Sequence, residues 1–151
     1  MKKPVSVLVV IHTAQLDVLL LERTLHPGFW QSVTGSQEGE EPLLETARRE
    51  VLEETGIHAA ASEIIDWRLT NRFEIFPLWR QRYASGVTHN TEHVFSLQIE
   101  RRVAIQLAPQ EHSAFQWLSW EEAAARCFSW TNRDAILMLP LRHSSRDDTP
   151  T

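Results

Sequence analysis

The chain has 151 residues, 42% of them apolar, and a formal net charge of −5 at pH 7, which suits one compact domain with its own core. Its longest apolar runs, residues 5–11 and 18–21, are strand-length and fall far short of the ~20 residues a membrane-spanning helix needs. Cys127 is the only cysteine, so no internal disulfide forms, and the short N-terminal apolar run lacks a small-residue cleavage site; a reducing, cytoplasmic setting is expected.

Residues 3–12 and 17–23 read as two strands joined by a short turn, rich in Val, Leu and Ile. Their near-continuous apolar character predicts burial on both faces, with helices covering the sheet. A loop carrying Pro27 and Gly28 leads into a short extended piece over 29–34. Residues 42–55 form the clearest helix: Pro42 suits a first helical turn, and Gly56 is a natural stop. Leu44, Ala47 and Val51 give it a core-facing stripe. Strand candidates follow at 64–76, 79–83, 91–99 and 114–118, with a hairpin turn at 84–86. Residues 120–127 and 131–141 read as helices, with Ser119 and either Ser129 or Thr131 as N-caps. The pattern predicts an α/β domain over 1–141, a mixed α/β sandwich, and a flexible polar tail over 142–151. It carries no strand order.

Charge is unevenly spread. Between Gly35 and Ile57 stand Glu38, Glu40, Glu41, Glu45, Glu50, Glu53 and Glu54 against Arg48 and Arg49, so this segment alone matches the net −5 of the whole chain. Such a cluster repels polyanions and attracts divalent cations, and no basic patch supports a nucleic-acid-binding role. On a helix, Glu50, Glu53 and Glu54 share one face about 100° wide. Hard divalent cations take several oxygen ligands of this kind, completed by substrate phosphates and water. Glu45, Arg49 and Glu53 follow one another at four-residue spacing, a charge ladder able to orient one carboxylate.

Gly35, five residues, Glu41, seven residues and Arg49-Glu50-Val51-Leu52-Glu53-Glu54-Thr55-Gly56-Ile57 resemble the signature of the Nudix hydrolases at every fixed position. Gly39 stands one place earlier than in the commonest version of the loop. The resemblance implies a Nudix α/β/α sandwich with a mixed sheet, a divalent metal (usually Mg2+, with Mn2+ as substitute) and hydrolysis of a phosphoanhydride in a small-molecule triphosphate. It implies Glu50 and Glu54 as leading metal ligands, with Glu53 as a further ligand or water-positioning group. Arg49, Glu53 and Glu111 are the catalytic candidates, Glu111 as the fourth carboxylate from the loop over 109–112.

The resemblance continues through residues 4–10, 29–35, 73–76, 82–84, 86–88, 90–92 and 129–133 toward a bacterial branch of that family. That branch implies release of pyrophosphate from 7,8-dihydroneopterin triphosphate, with Arg23, Thr34, Ile75, Phe76, Pro77, Leu78, His112 and Ser129 around the substrate. The match is weaker at Pro77 and Leu78. Arg23 offers a bidentate fork for phosphate oxygens. Trp30, Phe76 and Trp130 are candidates to stack on a flat heterocycle, although tryptophans in a small domain mostly pack. His112 is expected to contact phosphate or to buffer a proton near neutral pH, and Asn132 to cap the last helix rather than touch ligand. Side activity on dNTPs such as dATP is expected beside the pterin reaction. Two alternatives stay open: a nucleotide-pool sanitising (d)NTP pyrophosphohydrolase that removes oxidised purine triphosphates, and a silent ligand-binding regulator, against which the intact Arg49, Glu50, Glu53 and Glu54 argue. A monomer is expected.

Overall fold

A computed structural model describes residues 1–147. Seven strands form one sheet: β1 (Val5–Thr13), β2 (Asp17–Arg23), β3 (Trp30–Gln31), β4 (Val33–Ser36), β5 (Ile64–Glu74), β6 (His89–Ile99) and β7 (His112–Ser119). The order is β3-β2-β1-β6-β5, with β4 also pairing with β1 and β7 with β2. The sheet is mixed, because β1 runs parallel to β6 and antiparallel to β2 and β4.

The apolar run of β1 is explained by two cores. Val7, Val9 and Ile11 point to one side, against Ala47 and Val51 of α1 (Leu43–Thr55). Leu8 and Val10 point to the other, against Ala123 and Ala124 of α2 (Trp120–Arg126) and Ala135, Ile136 and Leu139 of α3 (Trp130–Asp147). Side chains alternate across a strand, so a strand covered on both faces must be apolar throughout. Each of these fully buried Leu, Ile and Val side chains contributes about 1.5–3 kcal/mol relative to exposure. Among the described residues no helix is long and apolar enough to cross a membrane.

Several expected elements differ in detail. Pro42 stands just outside α1: its ψ of 143° is extended, and its carbonyl accepts from Glu45 and Thr46. Gly56 ends the helix in the left-handed region at φ 78°, its N–H bonded to the Leu52 carbonyl at 2.9 Å. The extended piece over 29–34 is two strands, since the chain leaves β2 for β1 at Ser32; the Ser32 N–H, freed from the sheet, goes to Asn132 Oδ1 at 2.8 Å. Residues 79–83 are not a strand. Residues 79–82 belong to a 3₁₀ turn, Pro77–Arg82, in which Trp79 N–H bonds to Phe76 O and which Tyr83 closes with its N–H on Arg80 O, and Pro77 at its first position favours that turn over a ladder. Ser119 caps α2, accepting from the Glu122 N–H. The last helix continues past Leu141 to Asp147, and Arg142 within it donates to the Trp67 carbonyl and lies 4.7 Å over the Trp67 ring. The rest of the expected flexible tail, 148–151, lies outside the described residues.

Candidate active site

Residues of α1, β4 and the loop before β7 meet at one end of the sheet. Glu50 lies directly over Gly35: a Cβ built there would sit 2.0 Å from Glu50 Cδ, so only glycine lets this carboxylate rest on the strand. Arg49 holds it from behind, donating Nη1 to Glu50 Oε1 at 2.8 Å, Nη2 to Glu41 Oε1 at 2.6 Å and the Ser36 carbonyl at 3.1 Å, and Nε to Glu41 Oε2 at 3.2 Å. These bonds hold the Glu41 carboxyl far below the ordinary range, at about 2. Glu53 reaches Arg49 only at 3.5 Å and its side chain is 53% exposed. The expected ladder is partly replaced, because Glu45 pairs with Arg48 at 2.9 Å rather than with Arg49; three residues on, Arg48 lies on the same exposed face.

Glu54 is 2% exposed, hydrogen-bonded to Glu50, and its Oε1 has no partner. Burial and the neighbouring carboxylates Glu50 and Glu111 push its pKa well up, and burial raises Glu50 as well. Single ligand atoms of Glu54, Glu111 and His112 lie within 4.8 Å of one another. Two buried carboxylates in contact with an orphaned oxygen and a neutral imidazole form a donor set that a divalent cation would complete, so the residues fit such an ion. His112 is not the expected proton buffer: burial, then the charge of Arg23, push its pKa down to about 4, leaving it neutral at pH 7. Its Nδ1, which has no hydrogen bond, lies 3.9 Å from Glu54 Oε1.

Two cavities adjoin here. The first, about 290 Å³, is lined by Glu50, Glu54, Glu111 and His112. The second, about 370 Å³, has walls of Phe73, Ile75, Phe76, Phe128 and Trp130. Lys2, Arg23, Gln31, Thr34, Gly35 and Arg82 border both. Acid, cation and aromatic zones therefore follow in sequence. Arg23 lies 4.6 Å over the Trp79 ring with its buried Nε unpartnered. Burial lowers the Lys2 pKa, and the positive charges of Arg82 and Arg23 lower it further. Three cations that disfavour one another create a potential that an anion would relieve.

Of the residues expected from sequence, Glu50, Glu54, Glu111, His112, Arg23, Thr34, Ile75, Phe76, Ser129 and Trp130 all line these cavities. Trp30 does not. It packs into the second core beneath Arg126, 5.8 Å from its ring, because β3 pairing with β2 fixes its direction. Pro77 and Leu78 also fall outside both linings, turned away by the 3₁₀ turn, with Leu78 47% exposed. Arg49 and Glu53 line neither cavity; Arg49 acts through Glu50. Asn132 does not cap its helix: its side chain accepts from the Ser32 N–H and donates to Ser129 Oγ. Sequence reading missed Lys2, Arg82, Phe128, Asn90 and Glu92. Residues 89–93 are polar without a break, so the sequence did not mark Asn90 and Glu92 as the two that turn inward; the burial of alternate positions in β6 does. Phe128, stacked on Phe29 at 4.6 Å, carried no signal in the sequence.

The family model described as NUDIX domain matches residues 2–139. The chain is 47% identical over 140 residues to the dihydroneopterin triphosphate diphosphatase of Escherichia coli (strain K12), covering 89% of this chain and 91% of that protein. Identity to the protein of the same name from Haemophilus influenzae is 40% over 134 residues, covering 87% and 84%. The structure of the E. coli dihydroneopterin triphosphate pyrophosphohydrolase matches with a TM-score of 0.87 at 45% identity, covering 93% of this chain and 97% of that one.

Proposed function

The chain belongs to the Nudix family and is a hydrolase of that family, and on that premise we propose that it cleaves 7,8-dihydroneopterin triphosphate to the monophosphate and pyrophosphate with Mg2+. The observation that carries this reading is the order of the three zones: carboxylates, then cations, then an aromatic chamber. A triphosphate ester of a flat heterocycle has the complementary order of groups, and its size suits cavities of this volume.

Nudix hydrolases generally use a divalent metal, and here Glu50, Glu54 and Glu111 would hold it, beside His112. When bound, such an ion neutralises phosphate charge, activates water and steadies the leaving group; Mn2+ would substitute for Mg2+. The chain's own residues do the rest. Arg23, Lys2 and Arg82 bind the phosphate oxygens, Arg23 as a planar fork and Lys2 as a point charge. Thr34 adds a hydroxyl at the border between the zones. Arg49 and Glu41 keep the Glu50 carboxylate in one orientation, and Glu53 remains tied to Arg49 at the rim. Glu111, exposed on the loop before β7, is the fourth carboxylate, whose task is to help hold the ion or to take a proton from attacking water. Phe76, Phe128 and Trp130 give the heterocycle aromatic walls to pack against. A single, free Cys127 agrees with a reducing cytoplasmic setting, and a monomer completes the proposal.

The test is pyrophosphate release with Mg2+, comparing dihydroneopterin triphosphate with common and oxidised (d)NTPs. The expected result is a kcat/KM preference of tenfold or more for the pterin, about 1.4 kcal/mol of discrimination. Equal or faster turnover of a purine nucleotide refutes the pterin reading while keeping the hydrolase.

A further inference from the structure

The floor of the aromatic chamber carries an acid that the hydrolytic reading leaves without a task. Glu92 lies on β6, between Ser6 of β1 and Asn71 of β5, and lines the same cavity as Phe76, Phe128 and Trp130. It is 4% exposed, yet its Oε1 has no hydrogen-bond partner. Asn90, two residues earlier on the same face and also 4% exposed, donates Nδ2 to Ser6 Oγ at 2.7 Å and leaves its own Oδ1 unpartnered. Two buried acceptors therefore face one cavity with no donor supplied by the protein.

Leaving such atoms unmet is costly, and more so when they are charged, so a site of this kind is built for a ligand that brings donors. The other half of the carboxylate is already held, because the Thr131 hydroxyl donates to Glu92. With Thr131 the donor there, Ser129 is the donor in the 2.9 Å Ser129–Thr131 pair, and Ser129 in turn accepts from Asn132 Nδ2 at 3.3 Å. This chain of bonds fixes the orientation of the carboxylate.

We propose that Glu92 is the specificity-determining residue of the chamber, reading the amino/ring-NH edge of a 2-amino-4-oxo heterocycle through parallel N–H···O hydrogen bonds. A reduced pterin and a guanine both present that edge, an exocyclic amine beside a ring N–H. Adenine presents an amine beside a bare ring nitrogen, whose lone pair a carboxylate repels. Inosine-type rings keep the ring N–H and lack the amine. Burial raises the Glu92 carboxyl to about 7, so incoming donors readily favour its ionised form. At 4% exposure the Glu92 carboxylate meets little competing water. Glu92 therefore selects the base, while Arg23, Lys2 and Arg82 hold the phosphates whatever the base.

The inference rests on the pterin triphosphate reading, and its experiment separates the two. Wild type and Glu92→Gln are assayed on dihydroneopterin triphosphate, dGTP, dITP and dATP. In wild type, dGTP exceeds dITP in kcat/KM by tenfold or more. Glutamine is nearly isosteric but offers one donor and one acceptor, so Glu92→Gln loses at least thirtyfold on the pterin and dGTP and less than threefold on dATP. The dGTP/dITP gap closes in the same variant. A wild type indifferent to the 2-amino group, or a variant that loses equally on all four substrates, overturns the assignment without needing any comparison of stabilities. Failure of the pterin reading shows elsewhere, as a wild type that turns over a purine nucleotide as well as the pterin, and leaves the dGTP/dITP comparison intact as a test of Glu92.

Discussion

Replacing Gly35 by alanine isolates one contact of the acidic centre. Gly35 lies on β4, paired with Val7 of β1, and its φ is not in the left-handed region, so alanine adopts the backbone without strain. Gly-to-Ala changes at such positions are often stabilising by about 0.4–1 kcal/mol, through the unfolded chain. The nearest obstruction is Glu50. The new Cβ would lie 2.0 Å from its Cδ, 2.3 Å from Oε1 and 2.4 Å from Cγ, where ordinary contact begins at 3.4 Å. The carboxylate must retreat by more than an ångström, against the 2.8 Å bond that holds it to Arg49. Misplacement of a reacting or ligating group by about 1 Å costs on the order of 100-fold in rate, or about 2.7 kcal/mol. Gly35→Ala is therefore expected to lose 100-fold or more in kcat/KM and to bind Mn2+ more weakly by titration, with a Tm within a few degrees of wild type. Wild-type kcat/KM together with wild-type Mn2+ affinity would refute the reasoning. So would a collapse of Tm, since the strain would then fall on the strand rather than on Glu50.

Glu54→Gln removes a buried carboxylate from the donor set, and hydrolysis is expected to fall at least 1000-fold while circular dichroism keeps the wild-type spectrum; retained turnover would remove Glu54 from the centre. Arg23→Lys keeps the charge but not the fork, so kcat/KM on any triphosphate is expected to drop tenfold or more, an effect absent if Arg23 only stacks on Trp79. Glu41 has a folded pKa of about 2 against an ordinary 4.5, because Arg49 donates to it. A depressed carboxyl stabilises the fold above the unfolded pKa and loses that contribution as pH falls through the folded one. With its side chain 21% exposed, solvent screening leaves about 1–2 kcal/mol. Glu41→Gln should thus melt several degrees lower than wild type at pH 7, and the gap should close between pH 4.5 and 2; a gap independent of pH would exclude the ion pair as its source. Partial burial pushes the Cys127 thiol up to about 12, so alkylation by iodoacetamide at pH 8 is expected to be far slower than for a fully exposed cysteine, checked by mass spectrometry, and fast labelling would contradict that raised pKa.

The local pattern determined the parts of this protein that depend on near neighbours. The doubly apolar β1 and β2, the stripe of α1, its stop at Gly56 and the placing of Glu50 and Glu54 on one helix face all follow from spacings within a few turns or pleats. Arg49 was marked by the same spacing, but its task was not: it grips Glu41 and Glu50 from behind because the loop over 36–41 folds back across the helix, which helical periodicity does not encode. The chamber was less legible still. Lys2, Arg82, Glu92 and Phe128 come from four separate stretches of chain and meet because β1 pairs parallel with β6 and α3 packs over the sheet. Strand partners and registers are set by the sum of many long-range contacts, and a shift of one residue would turn Glu92 to the opposite face. The carboxylates of α1 were therefore written locally, in one helix and the loop before it, whereas Glu111, His112 and the surface that would choose the substrate join them only once the sheet has closed.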